Sequence, residues 1–315
     1  MSNRNCDNPP TGKIPLLDLK LGLYQGYNGG LYTSGTTARP ADHETLGLYF
    51  ANQIRAVNRC GKPNEQKGNI LLISIGMSSC HMEFSRFNFL YGDDSIWNPQ
   101  LRFFNTALGG QTVEDMIPRD APYWQTVIQA LEVTGYSRFQ PQVVWFKNAL
   151  DDPNQFTLDQ GYSTSAFPNH ALAVRDAYIP IMQNIKFWFP NVKICYVTSK
   201  NYGGYVSGAS ENSRGEITSY EKGFGMKWFV DFQVNGDMRL NCDPREGKVA
   251  APWIAWGPYI WADGINMRSD GLDWDCVDFQ EDDGYHPATP GRTKVATLLY
   301  NFLTTDTTAI PWALP

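Results

Sequence analysis

Apolar residues in this chain come in short unbroken runs rather than in strict alternation. Asn69–Ile75 reads Asn-Ile-Leu-Leu-Ile-Ser-Ile before Gly76, and similar runs lie at Leu101–Ala107, Gln142–Phe146, Val192–Val197 and Trp253–Ile260. A strand covered on both faces has no polar side to show, so these runs predict buried strands. Between them, apolar positions recur every three or four residues over Trp124–Val133, Ala171–Phe189, Ser219–Val234 and Gly291–Phe302. That is the spacing of helices with one buried face. Pro290 opens the last of them, where a missing N–H costs nothing. Strands and helices in alternation predict parallel pairing through right-handed crossovers, and hence a three-layer α/β/α sandwich.

Residues 1–68 read differently. Gly and Tyr punctuate Gly22–Tyr32, which suits turns. One helix is expected after Pro40, with Asp42 near its start and Leu46, Tyr49, Phe50 and Ile54 on one face. The expected organisation is a lead-in over 1–68 packed on a main domain over 69–315. Three connections exceed what a crossover needs: Asn201–Gly215, Asn235–Ala251 and Asp263–Gly284.

Composition narrows the class of partner. Of 315 residues 42% are hydrophobic and 18% charged, which excludes a disordered chain. Net charge is −6 with no basic stripe, so nucleic acid is not an expected partner. No run approaches the roughly 18 apolar residues of a membrane span. Met1–Cys6 opens no apolar leader. The six cysteines (Cys6, Cys60, Cys80, Cys195, Cys242, Cys276) have no CxxC and no zinc spacing. Full oxidation would allow about 15 pairings, and six buried thiols are the open alternative. Low charge, 14% aromatics and an even cysteine count point to an exported protein.

In an open parallel sheet, ligands bind beyond the carboxyl ends of the strands. The residues there are Gly76-Met77-Ser78, then Gly109-Gly110, then Lys147-Asn148, and, before the last helix, Asp283-Gly284-Tyr285-His286-Pro287. Ester hydrolysis needs an activated hydroxyl, a base, a group to orient the base, and donors for the oxyanion. Ser78 stands at a strand-to-helix turn, where its Oγ projects outward. His286 has the side chain whose ordinary pKa suits proton shuttling. Asp283, three residues earlier, can accept from the imidazole Nδ1–H and leave Nε2 for the serine proton. Gly110 lets substrate approach a backbone N–H, and Asn148 offers a neutral amide donor.

The order Ser78, Gly110, Asn148, Asp283-x-x-His286 resembles the SGNH (GDSL-type) hydrolase superfamily over roughly residues 69–305. The resemblance implies a flavodoxin-like parallel sheet, with Ser78 as nucleophile and Asp283 and His286 completing a triad. It also implies an oxyanion hole from the Ser78 and Gly110 N–H groups and the Asn148 side chain. Ile75-Gly76-Met77-Ser78, Gly29-Gly30-Leu31-Tyr32 and Trp256-Gly257-Pro258-Tyr259 are similar to a bacterial branch of that superfamily whose members are generally exported and of unsettled substrate. Two departures stand out. Met77 occupies the usual place of Asp, and Phe146-Lys147-Asn148-Ala149 replaces Gly-x-Asn-Asp.

Other residues carry competing readings. Ser78 could cap the following helix, Gly109 is as good a glycine as Gly110, Asn148 could close an Asx turn, and Asp282 competes with Asp283. His43 on the early helix reads as a solvated or satisfied side chain, His81 is expected to point away from Ser78, and His170 has no acidic neighbour in sequence. The acidic run Asp273, Asp275, Asp278, Glu281, Asp282, Asp283 lacks the Gly of an EF-hand loop, so a solvated loop is preferred to a cation site. Trp253, Trp256 and Trp261 recur near one strand end and could form a sugar-stacking platform, with core packing as the alternative. Gly-x-Ser-x-Gly is absent at Ser78, which disfavours a conventional α/β-hydrolase.

The expected function is therefore a serine esterase acting through an acyl-enzyme, without metal or organic cofactor. Its substrate would be a small-molecule or polysaccharide ester, with O-acetyl groups on carbohydrate favoured. The rivals are an acyltransferase or lipolytic esterase using the same residues, and a non-catalytic carbohydrate-binding protein on an eroded hydrolase scaffold.

Overall fold

All five apolar runs form strands of one sheet. The structure is a computed structural model that describes residues 4–150, 167–207 and 214–315. The strands are β1 (Ile70–Gly76), β2 (Leu101–Asn105), β3 (Pro141–Lys147), β4 (Ile194–Val197) and β5 (Trp253–Trp256). Their order is β2-β1-β3-β4-β5, and every neighbouring pair is parallel. This is the flavodoxin-like doubly wound order, in which the connections reverse direction beside β1. Every position of β1 and of β3 is buried, which is why their sequences show no alternation. The last run stops at Trp256, short of the expected Ile260, because Gly257 and Pro258 follow and proline brings no N–H to the ladder.

Among the described residues, six longer helices complete the layers: α1 (Ala41–Ala51), α2 (Ser78–Tyr91), α3 (Pro122–Val133), α4 (Asn169–Trp188), α5 (Glu216–Val234) and α6 (Thr289–Thr305). Consecutive residues of β3 show that helices cover both faces. Trp145 stacks on Phe84 of α2 with ring centroids 5.7 Å apart, whereas Phe146 meets Tyr178 of α4 edge-on at 5.3 Å. Helices α2 and α6 pack together on one face, and α4 and α5 pack together on the other. The hydrophobic pattern did not mark α2. Its buried positions are Ser79, Cys80, Glu83, Phe84 and Phe87, so a serine and a glutamate sit inside its helical stripe.

The face of α1 differs from the expected one. His43, Gly47, Phe50 and Ala51 are buried, while Tyr49 is exposed. The cause is the Trp253 indole of β5, which lies so close to Gly47 that any Cβ there would collide with it. Between Pro15 and α1 lie a short helix, Leu16–Leu19, and a hairpin pairing Leu23–Tyr24 with Tyr27–Asn28.

The structure resolves the cysteine alternatives in neither of the two extreme ways. Cys6 and Cys276 form a disulfide, while Cys60 is an exposed thiol and Cys80, Cys195 and Cys242 are buried ones. Among the described residues no helix is long and apolar enough to cross a membrane. Of the expected Asn201–Gly215 loop, residues 208–213 lie outside the described residues.

Candidate active site

Because the strands are parallel, the connections after β1, β2, β3, β4 and β5 open on the same edge of the sheet. After β1 the chain turns at Gly76, whose amide N–H donates to Tyr123 Oη at 3.1 Å. A Cβ at Gly76 would collide with the Lys147 carbonyl oxygen of β3, so only glycine permits this turn. Met77 caps α2, and Ser78 is the first helical residue rather than the cap. Its backbone N–H is one of the N-terminal amides that a helix leaves unpaired, pointing where a developing anion is stabilised.

Ser78 Oγ lies 2.6 Å from His286 Nε2. The other ring nitrogen, Nδ1, is hydrogen-bonded to Asp283 Oδ2. An ionised carboxylate only accepts, so Nδ1 carries the proton and Nε2 accepts from the serine hydroxyl. Asp283 Oδ1 accepts backbone N–H bonds from Tyr285 at 2.8 Å and His286 at 2.9 Å. Burial pushes the Asp283 carboxyl up. The His286 ring and the two amides outweigh that and hold it below the usual aspartate range. The carboxylate is therefore charged at neutral pH and fixed at both oxygens.

The loop after β2 runs beside the serine. Leu108 N–H donates to Gly76 O at 3.0 Å, and a Cβ at Gly109 would sit 3.9 Å from Ser78 Cβ. Gly110 has φ +73° with open space where a side chain would project. Asn148, at the tip of β3, is 1% exposed. Its amide nitrogen is 3.3 Å from Gln111 O and 2.8 Å from Met116 Sδ, and its Oδ1 accepts from Ala149 N–H at 2.7 Å. The Asn148 side chain thus ties the β3 tip to the loop that carries Gly110.

A buried polar cluster lies beside this machinery, and sequence reasoning missed it. Lys147 Nζ pairs with Glu83 of α2 at 2.5 and 2.6 Å, both side chains being closed to solvent, and also bonds Asn201 Oδ1. Burial lowers the Lys147 pKa to about 8 against the opposing pull of Glu83. Lys200 donates to Tyr285 Oη beside His286. A lysine ending an apolar strand reads in sequence as a side chain reaching for solvent, and Glu83 is 64 residues away. Met77 is 3% exposed and packs with Ala149, Val206 and Tyr285.

The tryptophan platform is not formed. Trp253, Trp256 and Trp261 are 0%, 3% and 1% exposed. Trp253 is stacked on His43, Trp256 donates to Leu31 O at 2.6 Å, and Trp261 packs on Tyr220. The lead-in and α5 cover rings that a sugar would have to reach, so they belong to the core. His43 Nε2 is bonded to Ile254 O at 2.8 Å, and His81 Nδ1 to Ala107 O at 2.8 Å. His170 does have an acidic neighbour in space, Glu221 at 3.3 Å on α5. In the acidic run, Asp273 and Asp278 pair with Lys294 at 2.7 and 2.6 Å, which gives those carboxylates an ammonium partner. Among the described residues no group of three or more His, Cys, Asp or Glu is placed to hold a metal.

No protein-family model and no curated protein matches the chain. Among solved structures it is similar to an SGNH hydrolase candidate from Slackia heliotrinireducens, at 13% identity, over 75% of this chain and 100% of that one, with a TM-score of 0.36. It is also similar to a carbohydrate esterase described as having divergent catalytic and non-catalytic binding functions, at 9% identity over 79% and 69% of the two chains (TM-score 0.41). A third is a GDSL-like lipase candidate from Parabacteroides merdae, at 16% identity over 74% and 95% (TM-score 0.37).

Proposed function

We propose that the chain is a serine hydrolase of the SGNH type that cleaves carboxylic esters through an acyl-enzyme. One observation carries this reading: Ser78, His286 and Asp283 stand in hydrogen-bonded series at the carboxyl edge of the parallel sheet. In this mechanism His286 Nε2 takes the Ser78 proton as Oγ attacks the ester carbonyl carbon. The tetrahedral oxyanion is met by the Ser78 and Gly110 N–H groups and by an Asn148 amide hydrogen that first leaves Gln111 O, its acceptor at 3.3 Å. Collapse expels the alcohol, which takes the proton from His286. Water, deprotonated by His286, then releases the acid and restores Ser78.

A short acyl group suits the surroundings. Met77, Ala149, Val206 and Tyr285 are 3%, 0%, 2% and 6% exposed and pack on one another. Met77 and Tyr285 adjoin Ser78 and His286 in the chain, so this packed cluster favours a short acyl group over a long one. Short O-acyl groups on carbohydrate, acetyl first, are the proposed substrates. The Cys6–Cys276 disulfide supports an extracytoplasmic setting, where such bonds persist.

The test is a panel of aryl esters from acetyl upwards together with acetylated polysaccharides, run on wild type and Ser78→Ala, plus a fluorophosphonate label. Turnover that falls with acyl length, vanishes in Ser78→Ala and coincides with labelling at Ser78 supports the reading. Folded protein that neither turns over nor labels overturns it in favour of the non-catalytic binder. The commitment of the Asn148 amide to Gln111 O is the observation on that side. Product esters formed when an alcohol acceptor is added would assign acyl transfer to the same residues.

A further inference from the structure

Asp283 and His286 sit on a long connection, after β5 and before α6, whose regular structure is a short 3-10 turn, Cys276–Asp278. Both side chains are partly open, 28% and 22% exposed, so core packing does not hold them. The turn is closed from within by Gln280 N–H to His286 O at 2.8 Å, Gly284 N–H to Gln280 O at 2.9 Å, and a bridge between Phe279 and Pro287. What fixes the outer side of this turn is a segment more than 270 residues away in the chain.

Arg4 reaches into the turn with both backbone and side chain. Its amide donates to Glu281 O at 3.3 Å, and its Nη1 donates to Phe279 O at 2.8 Å and Cys276 O at 3.2 Å. On the opposite flank, Arg4 forms an antiparallel bridge with Val206, Asn5 N–H donates to Tyr205 O at 2.9 Å, and Asn8 Nδ2 donates to Gly204 O at 2.8 Å. The segment therefore lies between the connection after β4 and the turn bearing the triad. The fit is tight. A Cβ at Gly284 would collide with Tyr205 O and lie 3.1 Å from Arg4 Cα. Two residues on, Cys6 is joined to Cys276 of that connection by the disulfide.

We propose that residues 4–8, sealed by the Cys6–Cys276 disulfide, are a positioning strap that holds the Asp283–His286 turn in register with Ser78, so that opening the disulfide slows the reaction while the sheet stays folded. The proposal rests on the hydrolase reading above, and Arg4 acts in it through the turn rather than on substrate. A dithiol opens the bridge in two exchanges. One thiolate attacks a sulfur of the disulfide, the second closes on the mixed disulfide, and Cys6 and Cys276 each leave as thiols. The dithiol becomes a cyclic disulfide. The strap then keeps its hydrogen bonds but loses its covalent end.

The experiment compares wild type, wild type in dithiothreitol, the Cys6→Ser/Cys276→Ser double variant, Arg4→Ala and Arg4→Lys on an aryl acetate. Amide hydrogen exchange is followed in the same samples. A displaced catalytic group costs on the order of 10- to 100-fold in rate. The expected result is a fall of that size in kcat with KM unchanged, in the double variant and in Arg4→Ala. Reduced wild type should match the double variant, which should itself be insensitive to dithiothreitol. Arg4→Lys should recover activity in part, since one ammonium can reach the two carbonyls that Nη1 serves but cannot also hold Glu281, which Nη2 bonds at 3.3 Å. The Tyr285 and His286 amides should exchange faster while those of β1 and β3 stay protected. Unchanged exchange at residues 284–286 in the double variant and Arg4→Ala overturns the strap. So does exchange that speeds equally in the sheet. If wild type shows no esterase activity, the function falls and the exchange data still decide the strap.

Discussion

Ser78 Oγ and His286 Nε2 lie 2.6 Å apart although the two residues are 208 positions apart in sequence. One belongs to the first turn of α2 and the other to the turn before α6, and these two helices pack side by side on one face of the sheet. Helix packing thus brings nucleophile and base together, while Asp283 reaches the base through a local offset of three residues.

If that series is the catalytic one, Ser78→Ala and Asp283→Asn should each lower kcat by about 10⁴-fold or more, because an asparagine holds the ring in the wrong tautomer. Thermal unfolding of Ser78→Ala should match wild type. Turnover in either variant within tenfold of wild type would assign the chemistry elsewhere.

Asn148 separates two roles. As an oxyanion donor its loss costs about 10²- to 10³-fold in kcat with little change in KM. Asn148→Ala and Asn148→Asp remove the donor in different ways, and both should show this loss. Full turnover in Asn148→Ala would mean that its amide serves only to tie Gln111 O.

The Lys147–Glu83 pair should behave as a buried ion pair does. Lys147→Met takes the ammonium partner from the buried Glu83 carboxylate, leaving the Asn201 amide donating to it at 3.0 Å, and should cost about 3–5 kcal/mol of stability. Lys147→Met combined with Glu83→Gln removes both charges and should restore most of it. Urea unfolding of the single and double variants measures this, and a single variant milder than about 1 kcal/mol would place the pair in water.

His43 makes stability depend on pH. Burial pushes its imidazole down from 6.5 to about 4, with the Ile254 carbonyl opposing and the Arg39 charge assisting. The unfolded chain takes up this proton near pH 6.5 and the folded chain only near 4. Its contribution is thus fully present above 6.5 and lost as pH falls to 4, about 3 kcal/mol in all. His43→Gln, which keeps an N–H for Ile254 O, should lose less stability than wild type between pH 7 and 4. Parallel pH curves would show that His43 stays solvated.

The alternation of elements was legible in the sequence because strand burial and helix periodicity are properties of neighbouring residues. So was the Asp283–His286 spacing, which needs only one turn of chain. The residues after each apolar run were legible as site candidates because a parallel sheet sends all of those ends to one edge. A helix is expected after Ser78, but the apolar pattern does not mark its course, since Ser79 and Glu83 occupy its buried stripe and Glu83 is accommodated there by Lys147 and Asn201.

What the tertiary structure alone decided are pairings and burial. Lys147 found Glu83 and Asn201, Cys6 found Cys276, and His170 found Glu221 because the strand order places their elements together. The cost of closing such loops varies only slowly with their length, so separation along the chain carries almost no information about partners. The same holds for Trp253, Trp256 and Trp261. An indole has the same composition on a surface as in a core, and here the neighbours folded over it made the choice.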